Sequence, residues 1–277
     1  MELSIITFNT KGTPSFKNST LYRFKKIAIV LEDLGADIIN LQEVFTYRQL
    51  QILRNELRSY PYCVYEKSII GPKGGVVTFS KIKVVNKRYL PYSYPWSMLI
   101  NFVSKGWLKA ISRNILTGKG ILISKIQSEI LLANTHLIAN PTHNWLPSNS
   151  FTKVYKNCIN EIGKMINNLE EDKTFILTGD FNIPKESYLY PVIIRKLKVR
   201  DVFGNSNSPT FIKDFLHSGE KGKRFDYILV RSGNNKSCFV RKREHLFTQP
   251  LIKKSINKGF LSDHIALRAI IRIKYSI

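Results

Sequence analysis

Two short segments in the second half of the chain carry polar residues whose types and spacing suit metal-dependent phosphate chemistry. Asp180 and Asn182 follow an apolar run and lie two residues apart, so on an extended segment their side chains face the same side. Asp263 and His264 stand just before another apolar run and place an oxygen ligand beside a titratable ring. Together these residues can bind a divalent cation, orient water and hydrogen-bond a phosphate oxygen.

Two residues in the first half add to this chemistry. Glu43 closes the apolar run at residues 38–42, where a carboxylate is costly unless it is paired or bound to metal. Asn9 ends the first apolar run and offers a neutral oxygen. Oxygen donors of this kind favour Mg²⁺, with Mn²⁺ as the alternative ion. A lone acid is more often a turn cap or half of a salt bridge, but several strand ends with the same chemistry favour a metal-dependent phosphoesterase.

The elements that must position these residues alternate between strands and helices. Amphipathic helices are predicted from residue 19 or 20 to about Gly35, around residues 50–57 and over residues 151–169. Buried strands are predicted at residues 3–8, 38–42, 75–80, 120–124, 130–135, 174–178, 226–230 and 266–270. Some strands lie too close in sequence for a helical crossover, so antiparallel pairs are expected. We predict an α/β fold with mixed sheets, in a single domain over residues 1–277.

The formal charge of +23 is the outlier of the composition. It predicts attraction to a polyanion, either nucleic acid or an anionic membrane surface, although a lysine-rich proteome bias explains it equally well. The three separated cysteines suit a reducing compartment. Neither a signal peptide nor a membrane-spanning run is visible, so the expected location is cytoplasmic, with peripheral membrane association as a further expectation. No obligate protein partner is indicated.

Residues 89–118 break the alternating pattern. This segment mixes large apolar with basic residues, among them Tyr92, Tyr94, Trp96, Phe102, Lys105, Trp107, Lys109 and Arg113. Such a mixture suits a membrane interface, where rings lie at headgroup depth and cations meet lipid phosphate. The alternatives are a satellite core or a lid over the substrate.

Six motifs in order along the chain resemble those of the endonuclease/exonuclease/phosphatase superfamily, which has the DNase I-like fold. They are Phe8-Asn9, Leu41-Gln42-Glu43-Val44, Asn134-Thr135-His136-Leu137, Gly179-Asp180-Phe181-Asn182, Phe225-Asp226-Tyr227-Ile228-Leu229 and Leu261-Ser262-Asp263-His264. The resemblance implies a four-layer α/β/β/α sandwich of two mixed sheets flanked by helices. It also implies Mg²⁺-dependent hydrolysis of phosphodiesters.

The resemblance further implies a role for each motif residue. Glu43 would be the principal Mg²⁺ ligand with Asn9 close by, and Asp263 would reach the metal through water or support His264.

The remaining motif residues would act on the nucleophile and the phosphate. His264 would be the general base, oriented by Asp226, and Asp180 would orient the nucleophile. Asn182 and His136 would bind the non-bridging phosphate oxygens, or His136 would instead protonate the leaving oxygen. The other histidines, His143, His217 and His245, match no motif and are expected on loops or the surface.

The substrate is less sharply indicated. The segments at 68–81, 89–118 and 118–122 resemble the neutral sphingomyelinase branch, which implies a phosphodiester between a lipid and a choline headgroup. A nuclease acting on DNA or RNA is the alternative, supported by the charge and by the basic residues before Asp226. Abasic-site endonucleases usually carry an acid where this chain has Lys11, and inositol phosphatases an Arg where it has Tyr227. A degenerate member that only binds nucleic acid or membrane would not need the full set of motif residues.

Overall fold

The computed structural model describes residues 1–12, 18–94, 117–127, 129–167, 172–216 and 218–275. Within them the chain forms two six-stranded sheets. The first sheet has the order β11-β12-β1-β2-β4-β3 and the second the order β5-β6-β7-β8-β10-β9.

The strands of the first sheet come from both ends of the chain. They are β1 (Glu2–Asn9), β2 (Ile38–Gln42), β3 (Tyr62–Val64), β4 (Val77–Ser80), β11 (Lys236–Leu246) and β12 (Ala266–Tyr275). β1 is parallel to β2 and antiparallel to β12, and the other pairs are antiparallel.

The second sheet takes the middle of the chain. Its strands are β5 (Val84–Pro91), β6 (Gly120–Ile126), β7 (Ile130–His136), β8 (Thr174–Asp180), β9 (Arg200–Asp201) and β10 (Asp226–Arg231). β7 and β8 are parallel, while the other pairs are antiparallel.

Helices cover the outer face of each sheet. α1 (Asn18–Leu34) and α2 (Tyr47–Glu56) lie on the first sheet, and α3 (Ser150–Asn167) and α4 (Leu189–Leu197) lie on the second. α2 begins with a capping box, in which Thr46 and Gln49 satisfy each other's backbone amides. The fold is therefore the predicted four-layer α/β/β/α sandwich, of the DNase I-like type.

The inner faces of the sheets share one apolar core. Leu3, Ile5 and Ile38 of the first sheet pack against Leu132 and Ile176 of the second, and all are buried. Because both faces of each sheet are covered, the central strands are apolar almost without interruption. This explains why those strands are readable in the sequence.

Buried amides join the two sheets near one end of this core. Asn134 of β7 donates from Nδ2 to the carbonyl oxygens of Leu41 and Val77, both at 3.0 Å. Gln42 donates to Asn134 Oδ1 at 2.8 Å, and Asn40 donates to Thr178 Oγ1 at 2.7 Å. These hydrogen bonds fix the first sheet relative to the second.

The strand directions place the ends of many strands at one edge of the sandwich. β1, β2, β7 and β8 end there, and β6, β10 and β12 begin there. We call it the site edge. β5 also ends there, because Pro91 pairs with Gly120.

Several expectations from the sequence need adjustment. The strands β3, β5, β9 and β11 and the helix α4 were not predicted. Residues 95–116 of the aromatic segment, with Trp96 and Trp107, lie outside the described residues. The cysteines are free thiols, of which Cys158 and Cys238 are buried and Cys63 is half-buried. No helix among the described residues is long and apolar enough to cross a membrane.

Candidate active site

All the residues singled out from the sequence motifs lie at the site edge. The first sheet and its loops supply one half and the second sheet the other: Asn9, Glu43, Asp263 and His264 face His136, Asp180, Asn182 and Asp226. Within the second sheet, His136 pairs in register with Asp180, and Asp180 with Asp226. Three successive strands thus hold three of these side chains as neighbours.

His264 and Asp226 form a hydrogen-bonded pair. Nδ1 of His264 donates to Oδ2 of Asp226 over 2.8 Å, and the ring packs edge-on against Phe211 with centroids 5.1 Å apart. Nε2 is left directed toward Asp180, 3.8 Å from its Oδ2. Burial would lower the pKa of His264, but the charges of Asp226 and Asp180 outweigh it and raise that pKa to about 10.

Asp180 lies at the centre of the site. Its Oδ2 accepts a hydrogen bond from Asn9 Nδ2 at 2.9 Å and lies 3.5 Å from His136 Nε2, while Oδ1 accepts from the backbone amide of Asn182 at 2.8 Å. Burial, with the charge of Asp226, raises the pKa of Asp180 to about 7. A buried carboxylate in this state favours either a proton or a cation beside it.

Glu43 approaches the same centre from the first sheet. Asn9 Nδ2 also lies 3.4 Å from Glu43 Oε1, so this amide bridges Glu43 and Asp180. The Glu43 backbone is left-handed, with φ of 62°, which is strained for a residue with a Cβ. A Cβ on Gly12 would lie 1.7 Å from the Glu43 carbonyl oxygen, so only glycine allows this approach. Burial, then the charge of Asp263, raises the pKa of Glu43.

These residues fit a divalent cation. Among the described residues, Asp180, Asp226 and His264 place ligand atoms within 4.8 Å of one another, and Glu43 and Asn9 adjoin them. Oδ1 of Asp226 is buried and has no hydrogen-bond partner within the part of the chain that the structure describes. Carboxylate oxygens are the donors preferred by Mg²⁺ and Mn²⁺, and a cation would offset the repulsion that raises the carboxyl pKa values. Glu43, with Asn9 beside it, is therefore suited to hold it next to Asp180.

Asp263 has a different environment from the other acids. Its Oδ2 lies 3.2 Å from Lys11 Nζ, and Lys11 also donates to Asn257 Oδ1 at 3.0 Å. The side chain of Asp263 is thus engaged by a cation of the protein itself. Its neighbour Ser262 donates to the carbonyl oxygen of Asn9 at 2.6 Å and ties this segment to β1.

His136 is paired with a lysine that the sequence motifs did not indicate. Lys119 Nζ donates to His136 Nε2 at 2.9 Å and to the carbonyl oxygen of Leu137 at 2.8 Å. Burial lowers the pKa of Lys119 to about 8, against the opposing charges of Glu43 and Asp180. Burial, then the Lys119 charge, lowers the pKa of His136 well below its ordinary value. His136 is therefore neutral and accepts at Nε2 as long as Lys119 remains in place.

A cavity of about 370 Å³ opens beside His264 and Asn182. Its walls include the rings of Trp145, Phe211 and Phe225 together with Lys221 and Lys223. Lys223 Nζ lies 4.2 Å from the centroid of the Trp145 ring. Trp145 lies on an irregular loop, so no helical or strand periodicity marks it in the sequence.

Other residues noted in the sequence lie elsewhere. Arg224 is fully buried and pairs with Asp201 at 2.6 Å, so it contributes to the core rather than to a basic surface. His143 is exposed beside the cavity, 3.4 Å from Glu220. His245 is half-buried on β11, and His217 lies outside the described residues.

Comparison with known proteins identifies a family for the chain. The model of the endonuclease/exonuclease/phosphatase family matches residues 6–264. No protein with curated annotation matches the sequence.

The fold is similar to several solved structures. SmcL is 18% identical with a TM-score of 0.71, over 98% of this chain and 99% of that one. Sphingomyelinase C from Streptomyces griseocarneus is 17% identical with a TM-score of 0.68, over 98% of this chain and 99% of that one. D. rerio TDP2 in complex with a single-strand DNA product is 17% identical with a TM-score of 0.70, over the same shares of the two chains.

Proposed function

Because the chain belongs to the endonuclease/exonuclease/phosphatase family, we propose that it is a divalent-metal-dependent phosphodiester hydrolase acting on a sphingomyelin-like phospholipid. The observation that carries the reaction class is the meeting of the His264–Asp226 pair with Asp180 and Glu43 at one site. A protein that only bound membranes or nucleic acid would gain nothing from burying these acids together.

Each side chain has a chemical task that its surroundings support. His264 takes the proton of the attacking water at Nε2, since Asp226 holds Nδ1 and fixes the ring. Asp180 accepts a hydrogen bond from the same water and orients it. When bound, a divalent cation would supply positive charge that stabilises the phosphate oxygens and opposes the rise in the pKa of His264.

Other residues bind the phosphate. Asn182 offers its side-chain amide, which lies 3.1 Å from the Leu137 carbonyl oxygen. Lys119 adds a positive charge beside His136, which is suited to attract the phosphate oxygens as negative charge develops. His136 is poorly suited to protonating the leaving oxygen, because its ring is neutral and Nε2 accepts from Lys119.

The lipid substrate is supported by where the aromatic segment joins the fold. β5 ends at Pro91, which pairs with Gly120 at the site edge, and Tyr92 after it is buried in the core of the second sheet. The sequence between Pro91 and Gly120 carries the aromatic and basic residue types that contact lipid at a membrane interface.

Nucleic acid is the second candidate substrate, and the cavity beside His264 favours it. Lys223 already occupies the cation position over Trp145, where a choline ammonium would otherwise bind. A nucleobase could stack on the remaining aromatic surface, with its phosphates near Lys221 and Lys223.

One experiment separates these substrates. Purified protein, stripped with EDTA and supplied with Mg²⁺ or Mn²⁺, is incubated in parallel with sphingomyelin vesicles, plasmid DNA and single-stranded DNA. Release of phosphocholine supports the proposal, cleavage of DNA alone replaces the lipid with nucleic acid, and no cleavage with either ion contradicts both. His264→Ala should abolish the activity, whereas His245→Ala, away from the site, should retain it.

A further inference from the structure

Two neighbouring isoleucines project into solvent from the loop between β3 and β4. Ile69 is 99% exposed and Ile70 is 61% exposed. Tyr47, at the start of α2, is exposed beside them and hydrogen-bonds to this loop. Single exposed apolar residues are common on protein surfaces, but two adjacent aliphatic side chains at a loop tip require a reason.

The loop is a small closed hairpin, which we call the isoleucine tip (residues 67–72). Lys67 and Pro72 form a β-bridge, and Ser68 donates through its amide and hydroxyl to the Gly71 carbonyl oxygen at 3.0 and 2.8 Å. The base of the hairpin is closed by the Lys73 amide, which donates to the Glu66 carbonyl oxygen at 2.7 Å. These bonds hold the isoleucines outward, so that little ordering is needed when they are buried against a partner.

The isoleucine tip is attached to the segment that follows Glu43. The Tyr47 amide donates to the Ile70 carbonyl oxygen at 3.1 Å, and the Tyr47 hydroxyl donates to the Ser68 carbonyl oxygen at 2.6 Å. A Cβ on Gly71 would lie 2.4 Å from the Phe45 carbonyl oxygen, so the two segments are in close contact. The tip is therefore set at the site edge, a few residues from a candidate metal ligand.

The charge around the isoleucine tip indicates its partner. Lys67 of the tip and Arg48, which follows Tyr47 in α2, are both exposed. Exposed aliphatic residues also occur on other loops of the site edge, at Leu146 and Leu251, with Lys253 and Lys254 next to the latter. Projecting apolar side chains flanked by cations match a bilayer, whose acyl region takes the former and whose phosphates attract the latter.

We propose that the isoleucine tip inserts Ile69 and Ile70 into the surface of an anionic phospholipid bilayer and so holds the site edge against the membrane. This inference rests on the proposed function for its purpose, because a lipid substrate must be reached at such a surface. The docking itself is a separate physical event and is measured without hydrolysis.

The test is sedimentation with vesicles of phosphatidylcholine and phosphatidylserine, which contain no sphingomyelin. Replacing both Ile69 and Ile70 by Ser should weaken binding by about tenfold or more. The matched control is Val85→Ser, which removes a valine that is 57% exposed at the opposite end of β5 from the site edge. That control should bind as the unmodified protein does.

The charge is tested with a second pair of variants. Lys67→Glu combined with Arg48→Glu should weaken binding to anionic vesicles and leave binding to pure phosphatidylcholine vesicles unchanged. Lys274→Glu, an exposed lysine at the far end of β12, is its control. As a direct measurement, Ile69→Trp should shift its fluorescence to shorter wavelength when vesicles are added.

The outcomes separate the two proposals. Vesicle binding that is absent, that survives loss of both isoleucines, or that falls equally in Val85→Ser overturns the docking proposal. Binding that depends on the isoleucines in a protein that cleaves only DNA overturns the lipid substrate and leaves docking in place. Unchanged thermal unfolding of the double Ser variant shows that the loss is not due to misfolding.

Discussion

His264 lies two residues before β12 of the first sheet, and its Nδ1 is 2.8 Å from Oδ2 of Asp226, the first residue of β10 in the second sheet. The pair that performs the proton transfer in our proposal is thus formed across the sandwich. Neither sheet contains it alone.

Asp226→Asn should reduce hydrolysis by about 10²–10⁴-fold, the range expected for losing an oriented general base. The amide cannot hold the ring as the carboxylate does, and it removes the charge that most strongly raises the pKa of His264. An NMR titration of His264 in the metal-free protein should therefore show a lower pKa than in the unmodified protein. Asp172→Asn, an exposed site far from the cavity, serves as control. Near-normal turnover of Asp226→Asn would contradict this role.

Stability of the metal-free protein should fall as the pH rises from about 4 to about 7. The folded-state pKa of Asp180 is raised from its ordinary 3.8 to about 7, so the folded state binds this proton more tightly than the unfolded chain does. The stabilisation that protonated Asp180 contributes is complete below the unfolded-state pKa of 3.8. It is lost as the pH rises through the folded-state pKa of about 7. Asp180→Asn removes this titration and should unfold a few degrees higher than the unmodified protein at pH 7.5, with little activity. Thermal unfolding of both proteins across this pH range tests the prediction. If the unfolding temperatures of Asp180→Asn and the unmodified protein follow the same pH profile, the prediction is wrong.

Mg²⁺ should stabilise the protein through Glu43. A ligand whose free concentration is one hundred times its Kd stabilises the folded state by about 2.7 kcal/mol. Glu43→Gln should lose most of this increase, because the amide carries no charge for the cation. Glu56→Gln, at the end of α2 and paired with Lys25, should keep it. Calorimetric titration with Mg²⁺ and Mn²⁺ measures the affinity directly, and equal affinity in Glu43→Gln would exclude Glu43 as a principal ligand.

Lys119→Met should lower kcat by about 10–100-fold, the usual effect of removing a group that supports residues around a metal. The substitution keeps the buried stem but deletes the hydrogen bond to His136 Nε2 and the charge beside Glu43 and Asp180. Lys153→Met, an exposed lysine on α3, is the matched control. If Lys119 acts only in packing, unfolding temperature will change while kcat will not.

The strands that the sequence failed to predict share a location. β3, β5, β9 and β11 are the outermost strands of the two sheets. β5 and β11 expose much of their length and carry many charged or polar residues, as edge strands commonly do, and β3 and β9 are very short. Central strands are buried on both faces and therefore leave an apolar run that is visible in the sequence.

The residues of the candidate site could be picked out of the sequence for the same reason. Glu43 and Asp180 stand at the ends of buried runs, where a carboxylate is too costly to occur without a purpose. Lys119 gives the same signal just before β6, and it lies in the segment 118–122 noted above, but no role was predicted for it. Trp145 and Lys223 come together only through tertiary packing of loops, so no local pattern could reveal their contact.

The amide hydrogen bonds of Asn134 and Gln42 have a consequence for how activity is lost. They join the sheets directly beneath a centre to which each sheet contributes half of the groups. A partly folded form in which the two sheets have separated can therefore keep its secondary structure, but it lacks an assembled active site. During gradual denaturation, turnover should cease at the first parting of the two halves, ahead of the loss of helix and strand.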